Sequence, residues 1–579
     1  MTASTAESLI EDQLRDRVDA FLKELNRDQL LWLSGYLAAH VKQSPNDNVP
    51  SAQEAHKVLI AYGTETGNSQ AVANDLASAF DQHQIPFELK NLSLLRARHL
   101  AAYKFIFLVC STHGDGDPPE PVNLFYTSLL SGEAPKLPET RYAVLALGDS
   151  SYPRFCATGQ EIDDRLAALG ATRILFRHDC DVDYVETSRQ WIASLISLLA
   201  AKLQSSTKSA RPSVTSISSS SEISRNAPLE TAVIENICLS ASTRQDAIHH
   251  IELSGDERLM KLQPGDAVGV MAENPVELAR LLIALTGCKD TDAVQVRHRR
   301  ITLLDAFLRE CDITVPSSKL LNLWSRHVDN SQLQQLLAGE GPLLKTFLKT
   351  HQVVEIAEKF PAVIEAQILV DNLKPLQPRL YDLANSQHYT SGEMHLVVRR
   401  YHYTFNALTR IGIASDYLNT LKPGASVKLF PYINNRFRLS SKGDDPVIYI
   451  SEGTGIGPFR AFMQELAFQN KHKRSWLLLS ENSFEEDFLY QTEWQSAIAE
   501  NRLDRIDTVF IGREERAAAI NELLKLRQAE LLDYLRSGAH LYLCGDRTVL
   551  TEVEAYLQQD TEMDWAALQK NGRIHRNLY

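Results

Sequence analysis

The sequence predicts a multidomain α/β chain: a doubly wound parallel domain, then an antiparallel β-barrel with a helical insertion, then a second doubly wound domain. Three observations predict it. At 579 residues the chain has room for three or four domains. Strand-like and helix-like patterns alternate over 56–203 and again over 441–579, with short strands around a helix-rich stretch, about 272–368, between them. A serine-rich run, 204–227, separates the first block from the rest; its composition cannot bury a core, so it reads as a flexible linker.

The bulk numbers narrow the class. With 44% hydrophobic and 23% charged residues the chain reads as globular. A net charge of -13 argues against nucleic acid and anionic membrane as main partners and suits a basic protein partner. The seven cysteines are scattered, with no CxxC and no metal-ligand spacing, so no metal is expected and a reducing, cytoplasmic setting is. The opening MTASTAESLIEDQLRDR has no basic start followed by an apolar core, so no signal peptide is expected, and no apolar run reaches the length of a membrane span. Residues 1–55 read as a helical extension. Within it Leu30, Leu33, Leu37 and Val41 share a stripe that either packs on the next domain or self-associates.

In the first block, strands are expected at 57–62, 86–92, 105–110, 142–147 and 172–176, and a last helix over 186–203. Ligands of such sheets sit outside the C-terminal strand ends. Three of those ends carry unusual loops. The first is Thr64-Glu65-Thr66-Gly67-Asn68-Ser69, followed by a helix pattern through Val72, Leu76, Ala79 and Phe80. Strand, polar loop and helix make an anion cradle. The loop lacks the lysine of a nucleoside triphosphate loop, so a monophosphate is expected. The second loop begins Ser111-Thr112-His113-Gly114. The third is Leu147-Gly148-Asp149-Ser150-Ser151-Tyr152-Pro153-Arg154-Phe155-Cys156. Glycines let the backbone approach a planar ligand, and Tyr152 can stack on it.

In the second block, 228–440, the informative runs are Arg379-Leu380-Tyr381-Asp382 and Gly412-Ile413-Ala414-Ser415. Taken alone, an arginine and a tyrosine on one strand are as readily a surface pair as a ligand site. In the third block the apolar run Val447–Ile450 leads into Ser451-Glu452-Gly453-Thr454-Gly455-Ile456-Gly457-Pro458-Phe459-Arg460. Asp487-Phe488-Leu489-Tyr490 and Leu543-Cys544-Gly545-Asp546 follow, and the chain ends on Tyr579.

These motifs, in this order, resemble the diflavin reductase family: a flavodoxin-like domain, a ferredoxin-reductase-like FAD barrel and a Rossmann-like NADP-binding domain. Within that family the chain is most similar to the sulfite reductase flavoprotein branch, whose oligomerising extension DQLLWLSGYLAAHV resembles. The resemblance implies FMN, FAD and NADPH as cofactors. Thr64–Ser69 then hold the FMN phosphate, while Ser111–Gly114 and Leu147–Cys156 flank its ring. Arg379 pairs with the FAD pyrophosphate, Tyr381 stacks on the flavin, Gly412–Ser415 offer N–H groups and Tyr403 lies on the adenosine side. Leu380, Asp382, Val397, Val398, Arg399 and Tyr579 complete the implied FAD set. Gly453, Thr454, Gly455, Gly512, Arg513 and Glu552 are the implied NADP set, and Asp382, Cys544, Asn577 and Tyr579 the implied catalytic set.

The chain departs from that pattern at two places. Asp382 stands where the family has serine, and Asn577 where it has an acid. In the pocket for the NADP 2′-phosphate, the serine, lysine and tyrosine positions read Gly512, Ala518 and Ile520. Losing two or three charge-assisted donors, each worth roughly 1–3 kcal/mol, weakens phosphate binding. Arg516 is placed to compensate in part, and Glu452 adds a negative charge. The implied function is the flavoprotein reductase of an assimilatory sulfite reductase, passing electrons to a separate haem protein. Two alternatives stand beside it: a diflavin reductase for another haem protein or monooxygenase, and an FMN electron carrier whose NADPH site has decayed.

Overall fold

The computed structural model describes residues 57–579, apart from 65–66, 114–115, 120–121, 132–133, 150–153, 204–222, 226, 242–243, 245, 257, 260, 297–298, 339–341, 406–407, 441–443 and 560–563. The N-terminal extension and most of the serine-rich run therefore lie outside the described residues. Three domains follow one another within a single unit, 57–579.

The first is a parallel sheet of β1 (Val58–Gly63), β2 (Glu88–Asn91), β3 (Phe105–Ser111), β4 (Arg141–Leu147), β5 (Thr172–Arg173) and β6 (His178–Cys180). Its order is β2-β1-β3-β4-β5, with β6 also on β4. β1, β3 and β4 are buried on both faces because helices cover both sides, which is why they read as unbroken apolar runs. The strand expected over 172–176 is split. Tyr142 holds β5 and Leu145–Leu147 hold β6, while Phe176 bulges into solvent between them. Arg177, paired with Asp163 and Asp179, turns the chain there.

The second domain is an antiparallel barrel of β7 (Leu229–Cys238), β8 (Ile248–Ser254), β9 (Ala267–Met271), β14 (Arg379–Asp382), β15 (Glu393–Arg399) and β18 (Ser426–Tyr432), in the order β14-β9-β18-β7-β8-β15. A register shift between Val233 and Glu235 lets the long β7 pair β18 along one half and β8 along the other. A bridge between Leu383 and Leu396 joins β14 to β15 and closes the barrel. Its interior is filled by Leu253, Val268, Val270, Leu396 and Val398, among others.

Between β9 and β14 runs a helical insertion. It includes two short pairs, β10 (Ala293–Val296) with β11 (Arg299–Thr302) and β12 (Cys311–Asp312) with β13 (Lys374–Pro375). It has its own core around Phe307 and Trp324, whose indole N–H donates to Phe360 O at 2.7 Å. A hairpin of β16 (His402–Phe405) and β17 (Leu408–Ile411) carries the nearly buried Arg410, which pairs with Glu355 at 2.6 Å and so ties the insertion to the barrel.

The third domain is a parallel sheet in the order β21-β20-β19-β22-β23, from β19 (Val447–Glu452), β20 (Ser475–Glu481), β21 (Arg505–Phe510), β22 (His540–Gly545) and β23 (Ile574–Leu578). No described helix is long and apolar enough to cross a membrane.

Candidate functional site

At the C-terminal edge of the first sheet, Thr64 is buried and its hydroxyl accepts from Gly67 N at 2.8 Å. Gly67 itself is left-handed, with φ of 87°, and starts the helix Asn68–Gln82. Within the first turn, Ser69 is fully buried, and its hydroxyl has no hydrogen-bond partner among the described residues. A buried hydroxyl at a helix N-terminus fits a phosphate oxygen. The other two loops meet beside it. The Thr112 hydroxyl accepts from Thr158 N at 3.3 Å, and Gly148 N donates to Cys180 O at 2.9 Å. His113 and Asp117 close a tight bridge, and a side chain on Gly116 would collide with Arg154. Ser111 donates to Gly63 O, and Cys156 is left-handed and buried at the start of the helix Ala157–Ala168. The structure thus brings Thr64, Gly67, Asn68, Ser69, Ser111, Thr112, His113, Leu147, Gly148, Asp149, Arg154, Phe155 and Cys156 to one sheet edge. Glu65, Thr66, Gly114, Ser150, Ser151, Tyr152 and Pro153 lie outside the described residues.

That edge faces the barrel. Lys374 Nζ lies 2.8 and 3.0 Å from the two Asp149 carboxylate oxygens. Arg225 joins Asn68 of the first loop to Gln377, and Gly67 stands next to the Tyr432 ring. Lys374 and Gln377 lead directly into β14. One short segment therefore touches the first sheet's loops and then supplies Arg379–Asp382.

On β14, Arg379 is exposed and Tyr381 half-buried. Gly412 precedes the helix Ile413–Thr420, whose first N–H groups open beside Tyr401; Ser415 Oγ accepts from Tyr401 N at 3.0 Å and donates to Gly412 O. Gly412 N itself donates to Tyr401 O at 2.8 Å, so the N–H groups of the helix start after it, and separately the exposed Arg379 guanidinium, are the groups that fit a pyrophosphate. Tyr403 is exposed on the neighbouring hairpin, with the Arg410 guanidinium 5.9 Å from its ring centre. Val397 packs into the third domain's core, whereas Val398 packs inside the barrel. Arg399 is spent on Glu481 and Asp246 and so acts between domains.

Where the barrel meets the third domain, four predicted residues converge. Asp382 Oδ2 accepts from Asn577 Nδ2 at 2.7 Å. The same amide nitrogen lies 3.8 Å from Cys544 Sγ. Cys544 and Asn577 face each other in register on β22 and β23. Tyr579 is stitched on by its backbone N–H to Gly545 O, and its hydroxyl lies 3.1 Å from Thr454 Oγ1. Burial pushes the Asp382 carboxyl up to about 6, against the pull of the Asn577 hydrogen bond. Burial, then the neighbouring Asp382, holds the Cys544 thiol well above its ordinary value.

The turn after β19 runs Gly453-Thr454-Gly455, and a side chain on Gly455 would collide with Cys544 O. Ser451 is buried just before it, with its hydroxyl lacking a partner among the described residues. Gly512 and Arg513 sit at the end of β21, and Glu552 is exposed on the helix Arg547–Gln559. Two expectations are corrected here. Arg516 does not stand in as a phosphate donor: it is 2% exposed, paired with Glu452, and donates to Asn482 Oδ1 at 2.6 Å and Ile511 O at 3.2 Å. Nor is Glu452 a loose negative charge, since it also accepts from Asp546 N at 2.9 Å. The reason is local. The helix starts at Arg513, so Arg516 comes round to the inner face one turn later.

The sequence reading missed a second buried layer between barrel and third domain. His250 Nδ1 lies 2.7 Å from the Tyr490 hydroxyl, and His395 Nε2 lies 2.9 Å from Glu393. Asp246, Arg244, Asp487, Arg399 and Glu481 continue it as ion pairs. Alternation along β8 and β15 places both histidines on the outward face, but nothing local says that another domain covers it.

Residues 60–191 match the flavodoxin family, 221–417 the FAD binding domain family and 449–554 the oxidoreductase NAD-binding domain family. With the three sites above, that order defines a diflavin oxidoreductase, with FMN on the first domain, FAD on the barrel and a nicotinamide dinucleotide on the third. The sulfite reductase (NADPH) flavoprotein alpha-component of Yersinia enterocolitica is 34% identical over 92% of this chain and 89% of its own length. That of Shewanella oneidensis is 34% identical over 94% and 92%, and that of Escherichia coli O157:H7 is 32% identical over 92% and 89%. The chain belongs to the sulfite reductase flavoprotein alpha-component family.

Proposed function

We propose that this chain is the reductase component of an assimilatory sulfite reductase, oxidising NADPH and delivering electrons to a separate haem protein that reduces sulfite to sulfide. The observation that carries the reading is the continuity of the three sites: Asn577 of the third domain closes on Asp382 of the barrel, and Lys374, at the end of the insertion that leads into that strand, pairs with Asp149 of the first domain. Bound, the flavins would supply the redox chemistry, accepting a hydride at one end and releasing single electrons at the other.

The chain's own residues do the rest. Thr64, Gly67 and Ser69 receive the FMN phosphate, and Arg379 with the N–H groups after Gly412 receives the FAD pyrophosphate. Tyr579 would cover the face of a bound flavin, and its more than half-exposed side chain leaves it room to move aside. Asp382, held by Asn577, would be the ionisable group at the flavin's reacting end, and Cys544, its thiol pushed well up by burial, stays neutral. The N-terminal extension, 1–55, serves oligomerisation, and the protein works in the cytoplasm.

The test is anaerobic mixing of the purified protein with NADPH after its flavin content has been measured. One FMN and one FAD per chain, bleaching within seconds and then reducing a haem partner, are expected. Fewer than two flavin types, or no bleaching, refutes the proposal.

A further inference from the structure

We infer that the dinucleotide site does not select for the ribose 2′-phosphate, so that NADH serves as reductant alongside NADPH. The inference rests on the function proposed above and refines which dinucleotide it takes.

The parallel register fixes where the adenosine end lies. Glu452 pairs with Ser480, and Glu481 with Phe510, so the ends of β19, β20 and β21 open at one edge. A dinucleotide that starts at the Gly453 turn crosses β20 and reaches Ile511–Arg513 beyond β21. A phosphate dianion there requires several charge-assisted donors. Among the described residues, the helix after β21 offers Arg513 and Arg516 in its first turns, and both are answered, while Arg547 after β22 donates to Leu578 O on β23, away from β21. Arg516 is enclosed by Glu452, Asn482 and Ile511 O, and withdrawing it would strand Glu452 as a buried, uncompensated charge. Arg513 is exposed but paired with Asp546. Lys525 lies about 18 Å along the same helix, twelve residues away.

The uncharged positions offer nothing more. Gly512 has no hydroxyl, Ala518 is exposed without a polar group, and the Ile520 side chain is wholly inside the core. Glu514 and Glu515 are exposed in the first turn of the helix, and Glu552 is exposed on the helix packed against it. With Arg513 and Arg516 balanced by Asp546 and Glu452, these carboxylates leave the edge negative. Such an edge repels a phosphate dianion, whereas a carboxylate accepts a hydrogen bond from a ribose 2′-hydroxyl.

The test compares anaerobic flavin reduction in the holoenzyme by NADPH and by NADH, with calorimetric binding of 2′,5′-ADP and 5′-AMP as probes of the phosphate alone. Efficiencies within tenfold, or favouring NADH, are expected, which is a difference of no more than about 1.4 kcal/mol against NADH. The double variant Gly512→Ser/Ala518→Lys should then raise the NADPH-to-NADH ratio at least tenfold. Nothing lies within 4 Å of the Cβ position on Gly512, and serine suits its place at the helix start. A wild-type preference for NADPH above tenfold, or 2′,5′-ADP binding more than tenfold tighter than 5′-AMP, overturns the inference and leaves the function standing. A double variant whose ratio does not move overturns the placement of the phosphate. Reduction by neither dinucleotide overturns the function and the inference together.

Discussion

Replacing Asp382 by asparagine isolates one ionisation at the junction of barrel and third domain. The asparagine keeps a side-chain oxygen to accept from Asn577 Nδ2, now 2.7 Å from Asp382 Oδ2, and removes the titration. Burial raises the Asp382 carboxyl from its ordinary 3.8 to about 6. Two pH units correspond to about 3 kcal/mol, and half-burial reduces this to about 2. The sign follows from the direction. A folded-state pKa above the unfolded one favours the protonated carboxyl in the fold, so its contribution is full below about pH 4 and is lost as pH rises through 6. The variant has nothing to lose. It should match the wild type near pH 4 and exceed it by about 2 kcal/mol at pH 8, a few degrees in the thermal transition of the flavin-loaded protein. Flavin fluorescence during heating, measured for both proteins from pH 4 to 8, reads the difference. A difference that is flat across that range, or larger at pH 4, refutes the reasoning. The rate of flavin reduction by NADPH supplies a second readout: an inflection near pH 6 in the wild type, absent from the variant.

Ser69→Ala removes the buried hydroxyl of the phosphate cradle, and FMN should dissociate ten- to a hundredfold more readily in a fluorescence titration, a loss of about 1–3 kcal/mol. Lys374→Glu should turn the pairing with Asp149 into repulsion and slow electron transfer between the flavins in stopped-flow absorbance; combining it with Asp149→Lys should restore much of the rate. Burial, with Arg460 and His395 close by, pushes His250 down to about 3, so the fold excludes a proton that the unfolded chain takes up below pH 6.5. His250 should therefore cost about 2 kcal/mol of stability between pH 6.5 and 5, visible as a falling thermal midpoint that His250→Gln flattens.

Local chemistry made much of this molecule legible from its sequence. Val58–Gly63 reads as a buried parallel strand because helices cover both its faces, and Thr64–Ser69 reads as a cradle because strand, polar loop and helix follow without interruption. Asp382, Cys544 and Asn577 could be named in advance because the resemblance fixes their order, although they come together only across a domain boundary. What escaped depends on distance or on phase. The Asp149–Lys374 pair joins residues 225 apart in the chain. The split between β5 and β6 is invisible in Ile174-Leu175-Phe176, whose apolar run continues while its pairing does not. The role of Arg516 turned on where the helix begins: started at Arg513, it sends Arg516 inward.

The two departures from the family pattern share one physical character, which bears on whether the nicotinamide end has decayed. A decaying site loses partners one at a time, and a buried charge left without its partner costs about 3–5 kcal/mol. Here each of the departing residues has a partner: Asp382 accepts from Asn577, and Glu452 is paired with Arg516. A carboxylate on the barrel at 382 faces an amide on the last strand at 577, so the junction keeps one ionisable group and one hydrogen bond with the charge on the opposite wall. Glu452, under the nicotinamide turn, is matched by Arg516 and by Asp546 N. Asp546 in turn holds Arg513 and caps Val549 N at 3.1 Å. The charges at this end are paired, down to the first turn of the helix that begins at Arg513. Full pairing of this kind argues against an idle scaffold beside a working FMN domain.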